Sequence, residues 1–283
     1  MAKNIMRSTD KPLRFASCMA PSADPVFREI ADYLGQQLGM PVEVVDGVPW
    51  PERERLLDAG EIDLCWICGL PYVEKADRGR AIELCVAPVM QGPRYQNLPI
   101  CFSDVVVRNG SGYTSFADLR GATWAYNEPR SHSGFNIVCC YLAEQGETLR
   151  YFSRVVEAGA HQAALRMVLS GSVSAAAIDS TVLDAEVKRF PGLKGTFDVI
   201  HTFGPSPAPP WVLSKRLPAE LRQKLRRCLT GMARHAEGAA ILADWGIAEL
   251  RPVEDSAYDP VRAMARTAAA ARPQPSLARA KTG

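Results

Sequence analysis

The sequence predicts an α/β protein of two similar lobes, and three observations carry that reading. Strand-like apolar runs alternate with amphipathic helical segments from residue 13 onward, the rhythm of parallel strands covered by helices. The rhythm then repeats: "ERLLDAGEIDLCWIC" and "LRMVLSGSVSAAAID" share the order amphipathic helix, glycine stop, buried strand. Finally, "HTFGPSPAPPWVLSKRLP" breaks the pattern with five prolines and reads as a stiff segment crossing between lobes. A chain of 283 residues is long enough for two such cores.

The elements follow in order. Residues 13–20, "LRFASCMA", are an apolar run read as the first strand. In "DPVFREIADYLGQQLG", Val26, Ile30, Leu34 and Leu38 fall at near-helical spacing and Gly39 stops the helix. "MPVEVVDG" is a strand, and "PWPERERLLDAG" is a helix opened by prolines and ended at Gly60. "EIDLCWIC" is a strand, "GLPYVEKADRG" a turn and short helix, and "AIELCVAPVM" another strand. The second half gives strands at "CFSDVVVR", "ATWAYN", "RYFSRVVEAG" and "SVSAAAIDS", with helices at "SHSGFNIVCCYLAEQG" and "HQAALRMVLSG". "PAELRQKLRRCLTGMARH" and "AAILADWGI" are late helices. The boundaries expected are 11–100 plus 207–265 for lobe 1, 104–202 for lobe 2, and a frayed tail over 266–283.

Composition excludes several classes. A formal net charge of +2, with both signs interleaved, argues against nucleic-acid binding by bulk charge. No apolar run reaches the ~18 residues of a membrane helix, so no membrane insertion is expected. The N-terminus lacks an apolar stretch of signal-peptide length, so the chain reads as cytoplasmic as written, and as periplasmic if a leader has been removed. "FASC", ending at Cys18, is a faint lipoprotein box interrupted by Arg14 and reads better as strand. Eight cysteines show no disulfide-framework or zinc spacing, and free thiols, no metal and no cofactor are expected. The Cys65-x-x-Cys68 pair is placed within a strand, where side chains three apart point to opposite faces.

Chemistry concentrates in "AYNEPRSHSGFN". Ser131, His132, Ser133 and Gly134 follow a strand and open a helix, so amide N–H groups, the helix dipole and two hydroxyls converge there. This suits a tetrahedral oxyanion, which needs many donors and no proton transfer. Ser131 as a plain helix cap uses the same geometry. His161 opens the helix "HQAALRMVLSG", and Asp179 ends the strand "AIDS", a position beyond the carboxyl end of a strand. Both also read as caps. Trp50, flanked by prolines, is placed on a loop, and Tyr72 follows the turn after "DLCWIC". Ser133, His161 and Asp179 are the residue types of a hydrolase triad, but no G-x-S-x-G elbow surrounds Ser133.

"GEIDLCWICGLPYV", "SFADLRGATWAYNEPRSHSGF", "EAGAHQAAL" and "PPWVLSKRLPAEL", in this order over about residues 13–250, resemble the phosphate, phosphite and phosphonate-binding proteins of ABC transporters, the PhnD type. The resemblance implies the type II periplasmic-binding-protein fold, with two α/β lobes joined by two crossing strands and closing on a small oxyanion. It implies a monomeric solute-binding protein with an ABC permease as partner, in transport or sensing, and no enzyme activity. A cytosolic enzyme reusing the fold on a small anionic metabolite is the alternative. The family's Ser-Thr-Ser-Gly loop falls on Ser131, His132, Ser133 and Gly134, and its helix-leading histidine on His161. Its aromatic after the second strand falls on Trp50, and the turn near Gly69 brings Tyr72 to the ligand. The sequence departs from the family three times: a ligand-contacting tyrosine falls on Cys101, a carboxylate that reads a ligand amine falls near Pro209, and the N-terminus as written reads as leaderless. Arg94 or Tyr95 is the expected substitute for the lost tyrosine.

Overall fold

The computed structural model describes residues 11–272. In chain order these form β1 (Leu13–Ser17), α1 (Asp24–Leu38), β2 (Val42–Val44), α2 (Trp50–Ala59), β3 (Leu64–Trp66), α3 (Gly69–Asp77), β4 (Ile82–Met90) and β5 (Ile100–Arg108). Next come β6 (Thr123–Tyr126), α4 (Ile137–Glu144), β7 (Arg154–Glu157), α5 (His161–Leu169), β8 (Ala175–Asp179) and α6 (Ser180–Arg189). The chain closes with β9 (Phe197–Pro207), β10 (Trp211–Ser214), α7 (Ala219–Gly231), α8 (Ala236–Asp244), β11 (Ile247–Arg251) and α9 (Asp259–Ala268). Two compact units result. Unit 1 holds the residues up to Phe102, Ser180–Pro191 and Gly204–Val261; unit 2 holds Ser103–Asp179, Gly192–Phe203 and the residues from Arg262 onward.

Unit 1 is built on a six-stranded sheet of order β11-β4-β10-β3-β1-β2. β1 pairs in parallel with β2 and β3, while β10 and β11 run antiparallel to their neighbours. Phe15, Leu64 and Trp211 from the sheet pack on Phe27, Ile30 and Leu34 of α1, and Trp211 stacks between Phe27 and Trp66. Helices α1 and α2 stop where the glycines predicted: Gly39 and Gly60 take φ of 61° and 72°, the left-handed cap open to glycine without strain.

Unit 2 carries a five-stranded sheet of order β7-β6-β8-β5-β9, with β6 parallel to β7 and β8 and β5 antiparallel to β8. Phe116, Trp124, Tyr151 and Phe152 form an aromatic core under β6, with Trp124 and Phe152 stacked at 4.7 Å.

Several expectations need correction. The sheets, expected to be mainly parallel, hold the parallel pairs β1–β2, β1–β3, β6–β7 and β6–β8 beside antiparallel ones. β10 and β11 were hidden because prolines or short length masked their strand character. The proline-rich crossing segment is largely strand: β9 contains Pro205 and Pro207 and lies at the edge of its sheet, where a missing N–H is tolerated. Residues 180–191, which include α6, group with unit 1, not with the 104–202 block. The tail boundary at 266 falls inside α9, and Ala268 and Ala271 are buried in the unit 2 core; residues 273–283 lie outside the described residues. β1 ends at Ser17, and Cys68 is not in a strand but caps the N-terminus of α3.

Candidate functional site

The loop between β6 and α4 is the most polar buried segment of unit 2. Ser131, His132, Ser133 and Asn136 are all buried. Residues His132–Asn136 form one π-helical turn that runs directly into α4. Such single turns widen a helix and recur at functional sites. Ser131 caps it, its Oγ accepting from the Gly134 N–H at 3.0 Å. The plain capping role is therefore real, and it leaves the Ser131 hydroxyl proton to donate elsewhere. Ser103 on β5 donates to the Ser133 carbonyl at 2.5 Å, which ties the turn to the sheet.

His161, the first residue of α5, meets this turn. Its Nε2 lies 3.3 Å from Ser133 Oγ. Gly134 makes the approach possible: a Cβ there would collide with Asn127 Oδ1 and press on His161 Cε1 at 3.0 Å. Asn127, at the end of β6, is buried, and its Oδ1 makes no hydrogen bond. Burial holds His161 below the usual imidazole range. The Asp179 charge and the Ala177 carbonyl oppose that shift, without giving Nδ1 a hydrogen bond of normal geometry. Burial pushes the His132 pKa down to about 4. The His132 imidazole turns inward, with Nδ1 at 3.3 Å from the Asn136 amide nitrogen. Asn136 in turn accepts from Arg272 at 2.7 Å.

The chemistry available is donation from neutral groups: two hydroxyls, an imidazole and the amides of a helix entrance. Ser133, His161 and Asp179 do come together, yet the triad geometry is incomplete, since His161 Nδ1 lacks the bond an orienting carboxylate would make.

The remaining candidates lie in unit 1. Trp50 is not on a loop; it is the first residue of α2, partly buried, with Pro49 at the N-cap and Pro51 in the first turn, where proline's fixed φ and missing N–H suit a helix start. Tyr72 sits on α3, its ring edge-on to Tyr258 and its hydroxyl 2.5 Å from Asp255. Cys101 is buried at the start of β5, its thiol 3.8 Å from the Pro207 carbonyl. Tyr95 does not replace the missing tyrosine: its hydroxyl is buried against Asp184 at 2.6 Å and Ser180 at 3.2 Å. Arg94 lies over the Phe102 ring. At Pro209 there is no carboxylate, and its carbonyl accepts from the Trp66 indole at 3.0 Å. Asn127, Asn136 and Arg272 escaped the sequence reading. Asn127 was the readable one, since it ends a parallel strand as Asp179 does.

Residues 20–258 match the periplasmic substrate-binding proteins of phosphonate ABC transporters. The chain belongs to this family. Its members bind and hand over a substrate rather than transform it, which sets the enzymatic alternative aside. The binding-protein component of a Pseudomonas aeruginosa phosphonate ABC transporter superposes with a TM-score of 0.80 at 19% identity, over 94% of this chain and 90% of that one. PhnD1 from Prochlorococcus marinus, in complex with methylphosphonate, gives 0.79 at 17% identity, over 91% and 98%. A Xanthomonas citri protein solved with ATP gives 0.72 at 16% identity, over 93% and 98%. These likenesses establish the fold, a type II periplasmic-binding-protein architecture. No helix among the described residues is long and apolar enough to cross a membrane.

Proposed function

We propose that this protein binds a small phosphorus oxyanion (phosphonate, phosphite or phosphate) on the Ser131–Gly134 loop and presents it to an ABC permease. The observation that carries the reading is the buried Ser133–His161 contact at 3.3 Å, made over a glycine that admits no side chain. An anion placed there meets Ser131, Ser133 and His161 as donors. Both buried histidines are neutral near pH 7, so the site recognises charge by hydrogen bonds and dipoles, which also lets the ligand leave. His132 shapes the turn through Asn136, and Asp179 acts on His161 through its charge rather than touching an anion. Trp50 and Cys101 are the candidates for contacts beyond the phosphorus oxygens, and the Tyr72 hydroxyl is engaged by Asp255 instead. With proline at 209, a ligand amine has no carboxylate there, which favours unaminated ligands over aminoalkyl phosphonates. We assign the working form as a monomer.

Isothermal titration with phosphate, phosphite, methylphosphonate and 2-aminoethylphosphonate tests this. We expect saturable binding of at least one unaminated anion. The Ser131→Ala, Ser133→Ala double variant should weaken it by at least tenfold, each bond to a charged ligand contributing about 1.5–3 kcal/mol. Unchanged affinity in the double variant would remove the loop from the site.

A further inference from the structure

Two thiols that the ligand reading does not use stand together in unit 1. Cys18 is the first residue beyond β1, and Cys65 is the middle residue of β3. Their sulfurs are 3.6 Å apart. β1 and β3 are parallel neighbours with Ala16 opposite Cys65. Cys18, two residues further on, faces the same side of the sheet, so the pair is diagonal. Cys65 is fully buried, while Cys18 keeps 8% of its surface exposed and offers an entry point. Both are reduced in this structure. The local frame is firm: the Cys18 amide donates to the Trp66 carbonyl at 2.8 Å, and Arg53 donates to the Ser17 carbonyl at 2.8 Å.

We propose that Cys18 and Cys65 are an oxidation site, joining as an intramolecular disulfide when the protein meets an oxidising thiol–disulfide couple. The Cys18 thiolate attacks one sulfur of an incoming disulfide such as glutathione disulfide, and one glutathione thiolate leaves. The Cys65 thiolate then attacks the Cys18 sulfur and displaces the second glutathione. Two protein thiols are oxidised, one glutathione disulfide is reduced to two thiols, and the two protons pass to the departing thiolates. The sulfurs must close from 3.6 Å to about 2.05 Å. Cys18 lies past the last strand residue, so that movement falls on the segment leading to α1 rather than on the paired strand. The family is described as periplasmic, and that compartment in bacteria is oxidising. The thiol–thiol hydrogen bond to Cys65, then burial, hold the Cys18 pKa above the ordinary thiol range, so the exchange quickens as pH rises.

The competing partner is Cys68, three residues after Cys65. It caps α3 beyond the strand, and the Cys65 sulfur points to Cys18. The test uses the full chain, reduced, exposed to glutathione disulfide at mildly alkaline pH, alkylated in denaturant and digested with trypsin. The expected product joins peptide 15–28 to peptide 56–75. It should persist in Cys68→Ser, vanish in Cys65→Ser and Cys18→Ala, and raise Tm by roughly 4–10 °C over the reduced form. Absence of the joined peptide from wild type overturns the proposal, as does a joined peptide that survives Cys65→Ser. The wild-type and Cys68→Ser outcomes do not depend on whether the other variants fold.

Discussion

Two strand-to-helix turns, one in each unit, treat their polar groups differently. In unit 1, β3 passes through Cys68 into α3, and the polar groups around it are paired within the unit. Trp66 Nε1 donates to the Pro209 carbonyl, Tyr72 to Asp255, and Tyr258 to the Ala208 carbonyl. In unit 2, β6 passes through Ser131 into α4, and there Asn127 Oδ1 and His161 Nδ1 are buried without hydrogen bonds. Unit 1 does hold unpaired Trp211 Nε1 and Arg222 Nε, but the first lies within an aromatic stack in the core and the second belongs to a guanidinium paired with Glu83 on β4, so neither is on the β3–α3 turn. A buried polar atom without a partner costs about 1–3 kcal/mol, so two at one loop imply a benefit realised elsewhere. On the function proposed above, the turn in unit 1 is scaffold and the turn in unit 2 is the one that receives a ligand.

The sharpest way to break the contrast is Gly134→Ala. The new methyl collides with Asn127 and crowds His161, and overpacking of about 1–3 kcal/mol translates into up to roughly 100-fold weaker oxyanion binding. Gly192→Ala, with open space around it and no left-handed backbone, should leave calorimetric affinity unchanged. Equal effects from the two alanines would erase the distinction.

Acid stability is the next largest effect. His132 is neutral in the fold down to about pH 4, whereas the unfolded chain takes up its proton near pH 6.5. The unfolded state therefore binds more protons between these values. The contribution is fully present above about pH 6.5 and is lost as pH falls toward 4, to a total of roughly 3 kcal/mol. Burial of His161 adds in the same direction. Urea unfolding followed from pH 7.5 to 4 should show a shallower loss in His132→Asn than in wild type. Parallel curves would mean that His132 takes up its proton at the same pH in the fold as in the unfolded chain.

The smallest effect is expected in unit 1. Tyr72→Phe removes a hydroxyl bonded to Asp255 and should lower stability by about 0.5–1.5 kcal/mol in urea titration while leaving ligand affinity unchanged. A fall in affinity at constant stability would move that hydroxyl from scaffold to ligand.

Much of this was legible from local signals. Glycine stops at Gly39 and Gly60, helical spacing in α1, and the Ser131–Gly134 loop between a strand and a helix all act within a few residues of sequence. What escaped depends on distant chain. Arg272 reaches Asn136 across most of unit 2's sequence, and nothing near either residue announces the pair. The π-helical turn is a backbone register, not a composition. β9 was obscured because proline reads as a strand breaker, while its consequence depends on whether the strand lies at an edge. Trp50 was misplaced for a related reason: proline beside it marks a helix start as readily as a loop.

The central claim is that the unit 2 turn with His161 receives the anion, and the four histidines of the chain make it directly measurable. In protein labelled with 15N-histidine, adding methylphosphonate or phosphite should move the imidazole resonances of His161. The resonances of exposed His235, and of His201 in the aromatic core, should stay in place. Saturable ligand binding with the His161 resonances unmoved would contradict the account.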